Sequence, residues 1–146
     1  MDNFFYNLGL KGKKNSSMQL KRVVVTGMGA LTPIGNNLEA YWEGLRTGKS
    51  GSAPITYFDT EKFKTKFACE LKGYDPNDFF DRKEARKLDR FAQYALVSSD
   101  EAIADSGIDL NVVDKFRVGV VWGAGIGGLE TFQNEVIGYA EGDGTP

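Results

Sequence analysis

Two short runs of β-branched residues, each ending in closely spaced glycines, constrain the fold of this 146-residue chain most strongly. They lie at residues 20–31 (LKRVVVTGMGAL) and 116–125 (FRVGVVWGAG). Such runs are typical of buried strands that lead into tight turns. A third segment, TKFACEL at residues 65–71, alternates apolar and polar side chains as a half-buried strand does. Because helical patterns separate and follow these strands, the sequence predicts an α/β fold with βαβ-type units.

The longest helix is predicted at residues 82–106. Asp81 and Glu84 form the D-x-x-E version of a capping box at its start, and Gly107 marks its end. Shorter helices are predicted at residues 38–48, behind an asparagine cap and closed by Gly48, and at residues 129–142. The predicted buried stripe of the long helix consists of Leu88, Phe91, Ala92, Ala95, Ser99, Ala102 and Ile103.

Four cations follow a helical spacing on the opposite face of the same helix: Lys83, Arg86, Lys87 and Arg90. Positive charge near a helix N-terminus opposes the macrodipole, at a cost of about 0.3–1 kcal/mol for each exposed charge. Two interpretations stay open at this point. The face is either solvated and paired with neighbouring acidic residues, or it is a docking surface for an anionic partner.

The glycines that follow the second β-branched run also allow two interpretations. Gly123, Gly125 and Gly128 match G-x-G-x-x-G, a dinucleotide-binding pattern when it joins a strand to a helix. That site also needs an acidic residue about 20 positions later, at the end of a second strand. Glu141 and Asp143 lie near that distance, but no strand pattern precedes them. Close packing of the turn against a strand or an elongated ligand explains the glycines equally well.

The composition excludes several kinds of chemistry. The chain has no histidine, so it holds neither a Ser-His or Cys-His pair nor a histidine-containing zinc site. Cys69 is the single cysteine, and its place in the alternating strand predicts a buried structural thiol. The composition therefore excludes histidine-based catalysis and histidine-containing zinc sites from these 146 residues.

Charge and hydropathy bear on partners and location. The net charge is −2 and the isoelectric point is about 5.2, which argues against a nucleic-acid partner. No apolar run has the roughly 18 residues that a membrane span needs. The start of the chain lacks the apolar segment of a signal peptide, and a single cysteine is compatible with the cytoplasm, where we expect the protein to be.

The motifs together resemble a known family. Four motifs are similar, in this order, to the amino-terminal part of the β-ketoacyl-acyl carrier protein synthases, and most of all to the type II enzyme of bacterial fatty-acid synthesis: RVVVTGMGALTPIGN (residues 22–36), TKFA (65–68), DRKEARKLDRFAQY (81–94) and GAGIGGLETF (123–132). The resemblance covers residues 18–146 and implies the start of a thiolase-like domain. In that family, two similar α/β halves form a five-layered αβαβα fold. Residues 1–17 are then an N-terminal extension, which we expect to be disordered.

The resemblance implies a function in fatty-acid chain elongation. In this family a cysteine receives the acyl group from acyl carrier protein as a thioester, and two histidines assist the decarboxylation of malonyl-carrier protein. The resulting carbanion attacks the thioester. In family members, the cysteine and both histidines lie further along the chain than the position of Pro146, so Cys69 is not expected to be the nucleophile. The resemblance therefore implies no catalytic residue, no metal site and no cofactor site in these 146 residues. We expect this chain alone to be inactive, and the complete protein to be a homodimer that uses acyl and malonyl thioesters.

Residue by residue, Lys83, Arg86 and Lys87 match the family's helix that docks acyl carrier protein. Ile126 matches the residue that gates the acyl-chain pocket. Two alternatives remain: a non-catalytic chain-length factor that shares the fold, and a dinucleotide-binding oxidoreductase. Because its strands are shaped for a larger sheet, we also expect the isolated chain to fold poorly.

Overall fold

The computed structural model describes residues 21–142. Within them lie the helices α1 (Leu38–Arg46), α2 (Arg82–Ala85), α3 (Arg90–Ser106) and α4 (Leu129–Glu141). The strands β1 (Ala53–Pro54) and β2 (Phe67–Ala68) pair in antiparallel fashion. Single 3₁₀ turns occupy Pro76–Asp78 and Lys115–Arg117. The predicted extension at residues 1–17, the domain start at Met18 and the acidic candidate Asp143 lie outside the described residues.

The helix ends agree well with the local sequence signals. The Asn37 side chain accepts a hydrogen bond from the Ala40 N–H at 2.8 Å and caps α1. Gly48 and Gly107 follow α1 and α3 with φ of 67° and 65°. This left-handed conformation disfavours any residue with a Cβ, so glycine ends both helices. The asparagine cap of α1 and the glycine stops of α1 and α3 are confirmed.

The single helix predicted at residues 82–106 is wrong in its first part. Asp81 does cap α2, but α2 ends after one turn at Ala85. Asp89 has an extended backbone (φ −63°, ψ 153°), and its carboxylate accepts the Phe91 N–H at 3.3 Å. An aspartate that bonds nearby N–H groups competes with the helical conformation. A second cap therefore interrupts the pattern, and a separate helix, α3, begins at Arg90.

The two β-branched runs are not strands in the described part of the chain. Val23 is 89% exposed and Val121 is 99% exposed. A strand exists only where a neighbouring strand pairs with its N–H and C=O groups. Within residues 21–142 the only ladder joins β1 to β2, so the predicted βαβ units are not formed there.

The β1–β2 hairpin exposes the face that the alternation predicted to be buried. Phe67 and Cys69 are exposed, whereas Ala68 and Glu70 are partly covered. The Glu70 side chain points towards the segment directly after β1. Its carboxylate accepts the Thr56 N–H at 3.0 Å and the Thr56 hydroxyl at 2.8 Å. The prediction that Cys69 is a buried thiol is therefore wrong.

Helix α3 is the centre of packing, and its predicted buried stripe is largely confirmed. Ala95 is 9% exposed, and most of the stripe is at least partly covered, while Phe91 is 38% exposed. The segment of Gly27 and Gly29 runs directly along this helix. A Cβ at Gly27 would collide with the Ala102 carbonyl, and one at Gly29 with the Ser98 carbonyl. Glycine is required there because two backbones approach each other closely.

Two carboxylates of α3 hold this glycine segment and α1 in place. Asp105 accepts the Met28 N–H at 2.9 Å. Glu101 accepts the Ala30 N–H and the Leu38 N–H, both at 2.7 Å. Leu38 is the first residue of α1, so Glu101 also satisfies an N–H that the helix itself leaves unpaired.

Candidate functional site

The predicted docking cations lie in α2 and directly after it. We call residues 82–89, which comprise α2 and the turn that leads to α3, the cationic turn. Lys83 belongs to α2, Arg86 follows its last residue, and Lys87 comes one residue later, with its N–H bonded to the Glu84 carbonyl at 2.9 Å. All three side chains are exposed. The ion pairs of residues 21–142 are Arg46–Glu43 and Arg90–Glu130, and neither involves these three cations.

This geometry changes the electrostatic argument made from the sequence. The cations were expected to oppose the macrodipole of one long helix. Because α2 is a single turn and α3 begins at Arg90, no long helix starts beneath Lys83, Arg86 and Lys87. Arg86 and Lys87 instead lie between the end of α2 and the start of α3. Among residues 21–142, Lys83, Arg86 and Lys87 are exposed and form no ion pair, as a docking surface for an anionic partner requires.

Arg90, the fourth predicted surface cation, is instead held by the protein. Its Nε lies 3.1 Å from a Glu130 carboxylate oxygen, and its guanidinium lies 5.0 Å from the ring centroid of Tyr57. Partial desolvation tends to lower the pKa of Arg90, but Glu130 and the Tyr94 hydroxyl outweigh it and raise that pKa. Arg90 stays charged and joins α3 to α4. It is exposed, as predicted, but its charge is paired with Glu130 on another helix rather than with a neighbour on its own helix.

Two tyrosines surround Arg90 and the base of the cationic turn. The rings of Tyr74 and Tyr94 meet edge to face, with their centroids 5.1 Å apart. Burial raises the pKa of Tyr94, and the neighbouring Tyr57 raises it further. Burial and Tyr94 likewise raise the pKa of Tyr74. Both hydroxyls therefore remain protonated at neutral pH, where they can donate hydrogen bonds.

The predicted gate, Ile126, lies in the glycine loop that precedes α4. Its side chain is 77% exposed. The next residue, Gly127, packs against Phe91, whose ring carbon would lie 2.7 Å from a Cβ added there. Gly128 has a left-handed φ of 73° and directly precedes α4. By contrast, a Cβ at Gly123 or Gly125 would meet open space, so only the last two glycines of the loop have a local steric reason.

The cationic turn and the glycine loop meet at the N-terminus of α3. The Asp89 carboxylate caps α3 and also accepts the Thr131 hydroxyl at 2.6 Å. The Arg90–Glu130 ion pair spans the same junction. Asp89, which the sequence analysis did not select, therefore joins the cationic turn to the first turn of α4, which directly follows the glycine loop. The preference of aspartate for helix caps is the signal that identifies it.

Other kinds of site find no support among residues 21–142. Those residues contain no group of three histidine, cysteine, aspartate or glutamate side chains arranged to hold a metal ion. No helix in the same part of the chain is long and apolar enough to cross a membrane. The glycine loop does lead into α4, but no strand precedes it in this part of the chain. A dinucleotide-binding turn requires a strand directly before its glycines.

Known proteins provide an independent comparison. The family of the β-ketoacyl synthase N-terminal domain matches residues 20–143. The 3-oxoacyl-[acyl-carrier-protein] synthase 2 of Staphylococcus aureus (strain COL) is 50% identical over 115 residues, which are 79% of this chain and 28% of that protein. The synthase of the same name from Synechocystis sp. is 44% identical over 120 residues, covering 82% of this chain and 29% of the relative.

A solved structure, the ishigamide ketosynthase/chain length factor, matches with a TM-score of 0.55 and 38% identity. The match covers 60% of this chain and 22% of that one. The chain therefore spans less than a third of the length of these relatives. The thiolase-like fold class and the family expected from the sequence motifs are both confirmed. From the family match over residues 20–143, we conclude that the chain belongs to the β-ketoacyl synthase family and carries its N-terminal domain.

Proposed function

We propose that this chain is the N-terminal part of a fatty-acid-elongating 3-oxoacyl-[acyl-carrier-protein] synthase, to which it contributes the carrier-docking surface and part of the acyl pocket. Lys83, Arg86 and Lys87 dock acyl carrier protein, and Ile126 gates the acyl chain. The main support is the cationic turn itself, where Lys83, Arg86 and Lys87 are exposed and form no ion pair within residues 21–142, in a chain of net charge −2. The acyl-carrier-protein synthases among the relatives supply the reaction class.

The chemistry is divided between this chain and the rest of the protein. The complete synthase transfers an acyl group from its carrier to a cysteine, decarboxylates a malonyl-carrier and joins the resulting carbanion to the thioester. This chain has no histidine, so both charge-stabilising histidines lie outside it. Its contribution is to bring the carrier to the site and to shape the path of the acyl chain. The chain on its own does not condense substrates.

Docking through the cationic turn acts mainly on encounter and orientation. An acidic carrier protein is attracted to exposed cations, and this attraction weakens as salt screens it. Exposed ion pairs are worth about 0.2–1 kcal/mol each. Three pairs therefore contribute about 1.5 kcal/mol, which corresponds to roughly a tenfold change in affinity.

The gate proposal rests on the place of Ile126 in the glycine loop. Ile126 is an exposed apolar residue directly before Gly127 and Gly128. Gly127 lies against Phe91, and the left-handed Gly128 lets the loop turn into α4. The loop is thus anchored immediately after Ile126, whose side chain is free to move aside for an acyl chain.

A non-catalytic chain-length factor is the second candidate. The matching solved structure carries the names of both a ketosynthase and a chain length factor. The residue at the nucleophile position of the complete protein decides between the two, since a chain-length factor lacks the cysteine. The dinucleotide-binding interpretation is not retained, because family membership explains the glycine loop without it. A homodimer of the complete protein and a cytoplasmic location remain predictions.

The experiment uses a complete synthase, made by joining this chain to the remaining sequence of the 50% identical S. aureus relative. We call this protein the completed synthase. Changing Lys83, Arg86 and Lys87 to glutamate should weaken carrier binding at least tenfold, most strongly at low salt. The matched control changes Lys62, Lys64 and Lys115 to glutamate, which are exposed cations on other segments. Equal loss in both triple variants, or no loss in the first, would contradict docking at the cationic turn.

A further inference from the structure

Gln93 is a buried polar side chain directly behind the cationic turn. It is 5% exposed, although glutamine usually lies at the surface. Its Nε2 donates to the Ala85 carbonyl at 2.9 Å and to the Leu88 carbonyl at 3.0 Å. Its Oε1 accepts the Tyr74 hydroxyl at 3.1 Å. The amide therefore uses both of its N–H groups on the backbone of the turn and is itself held from the other side.

The two carbonyls bracket the residues that carry charge. Ala85 is the last residue of α2, and Leu88 immediately precedes the Asp89 cap. Arg86 and Lys87 lie between them. A one-turn helix is not stable by itself, and its last carbonyls have no partner within the helix. The bond from Gln93 to the Ala85 carbonyl supplies one such partner, and its bond to the Leu88 carbonyl holds the end of the turn, so Gln93 ties α2 to α3.

Tyr74 fixes the orientation of the Gln93 amide. Its ring stacks on Phe79 with a centroid distance of 5.6 Å and meets Tyr94 edge to face at 5.1 Å. The Tyr74 hydroxyl binds the amide oxygen and so directs the NH₂ group towards the turn. Because the hydroxyl stays protonated at neutral pH, this bond persists under physiological conditions.

We infer that Gln93 is a positioning residue for carrier docking: its buried amide holds the cationic turn so that Arg86 and Lys87 face the incoming carrier. The inference rests on the proposed function. Gln93 does not touch the carrier, and it acts through the backbone that bears the cations. Without the Gln93 amide the cations remain, but the turn moves freely in the unbound protein. The free-energy cost of ordering the turn then falls on the binding step and lowers the affinity for the carrier.

The test compares two variants of the completed synthase. Gln93→Leu keeps the size of the side chain but leaves two carbonyls unpaired, and we expect carrier affinity to fall about three- to tenfold. Tyr74→Phe is the milder change, since it removes only the hydroxyl, and we expect a fall of about twofold. Amide hydrogen exchange at Lys87 should quicken in both variants, while exchange at Tyr41 in α1 stays unchanged.

A double-mutant cycle separates positioning from general loss of structure. In a background with Lys83, Arg86 and Lys87 changed to alanine, Gln93→Leu should no longer alter carrier affinity. If Gln93→Leu weakens carrier binding by the same factor in that background, the inference is overturned, because Gln93 then acts independently of the cations. The inference also fails if neither Gln93→Leu nor Tyr74→Phe alters carrier affinity while the triple charge reversal does. If the charge reversal itself leaves binding intact, the docking proposal fails instead.

Discussion

Replacing Asp89 with alanine tests whether one carboxylate joins the cationic turn to the start of α4, directly after the glycine loop. The change removes the cap on the Phe91 N–H and the acceptor of the 2.6 Å bond from the Thr131 hydroxyl. Loss of an aspartate cap costs about 1 kcal/mol. A hydrogen bond to a charged group is worth about 1.5–3 kcal/mol, and we take about 1 kcal/mol here because water reaches this site.

The two losses add to about 2 kcal/mol, so local opening of this junction should become about thirtyfold more frequent. Hydrogen exchange of the completed synthase reports this opening at two amides. The Gln93 N–H is bonded to the Asp89 carbonyl at 3.0 Å, and the Phe132 N–H to the Gly128 carbonyl at 2.9 Å. We expect both amides to exchange about thirtyfold faster in Asp89→Ala.

Two control variants separate the two bonds. Asp89→Asn keeps a good capping group, so exchange at Gln93 should change by less than about threefold. Thr131→Val removes only the bond from α4, so it should quicken exchange at both Phe132 and Gln93, by about fivefold, because the junction opens as one unit. If Asp89→Ala quickens exchange at Gln93 alone, Asp89 is a simple cap. The proposed connection between turn and loop is then refuted.

Three further predictions concern the gate, the hairpin and the isolated chain. Ile126→Phe in the completed synthase should shorten the longest acyl chain accepted, as product analysis would show, and an unaltered product profile contradicts the gate. The Glu70 pKa is lowered from its usual 4.5, because hydrogen bonds from Thr56 and Tyr57 and the charge of Lys72 outweigh the opposing desolvation. Its contribution to stability is therefore present above pH 4.5 and lost as the pH falls below that value. The Glu70 carboxyl should titrate below 4.5 by NMR, and a midpoint at or above 4.5 refutes this assignment. The 146-residue chain alone should lack a cooperative thermal transition, because its valine runs are exposed, and a sharp monomeric melt would count against this view.

Features determined by a few neighbouring residues could be predicted from the sequence. The Asn37 cap and the stops at Gly48 and Gly107 depend on local hydrogen bonds and on backbone conformations that glycine tolerates. The break at Asp89 is local too, but the apolar stripe continues in phase from Leu88 into α3 and conceals it. Family membership was predictable because four motifs occur in a fixed order.

Features that depend on distant parts of the chain could not be predicted. The strands predicted at residues 20–31 and 116–125 would form only beside other strands. The pattern of apolar residues within a segment does not show whether such partner strands are present. The role of Arg90 depends on Tyr57 and Glu130, which are 33 and 40 positions away from it in the sequence. The burial of Gln93 depends in the same way on a hydroxyl from Tyr74.

The break before α3 also determines what shape of partner the surface suits. A continuous helix would present four cations as a stripe along two turns. Here the fourth cation, Arg90, is about half exposed but pairs with Glu130 and contacts Tyr57. Of the four, those without an ion pair among residues 21–142 are therefore confined to residues 83–87. Residues three and four apart on one turn lie about 5–6 Å from each other. A partner that docks on Lys83, Arg86 and Lys87 as proposed should therefore carry its carboxylates within about one helical turn rather than spread along a helix.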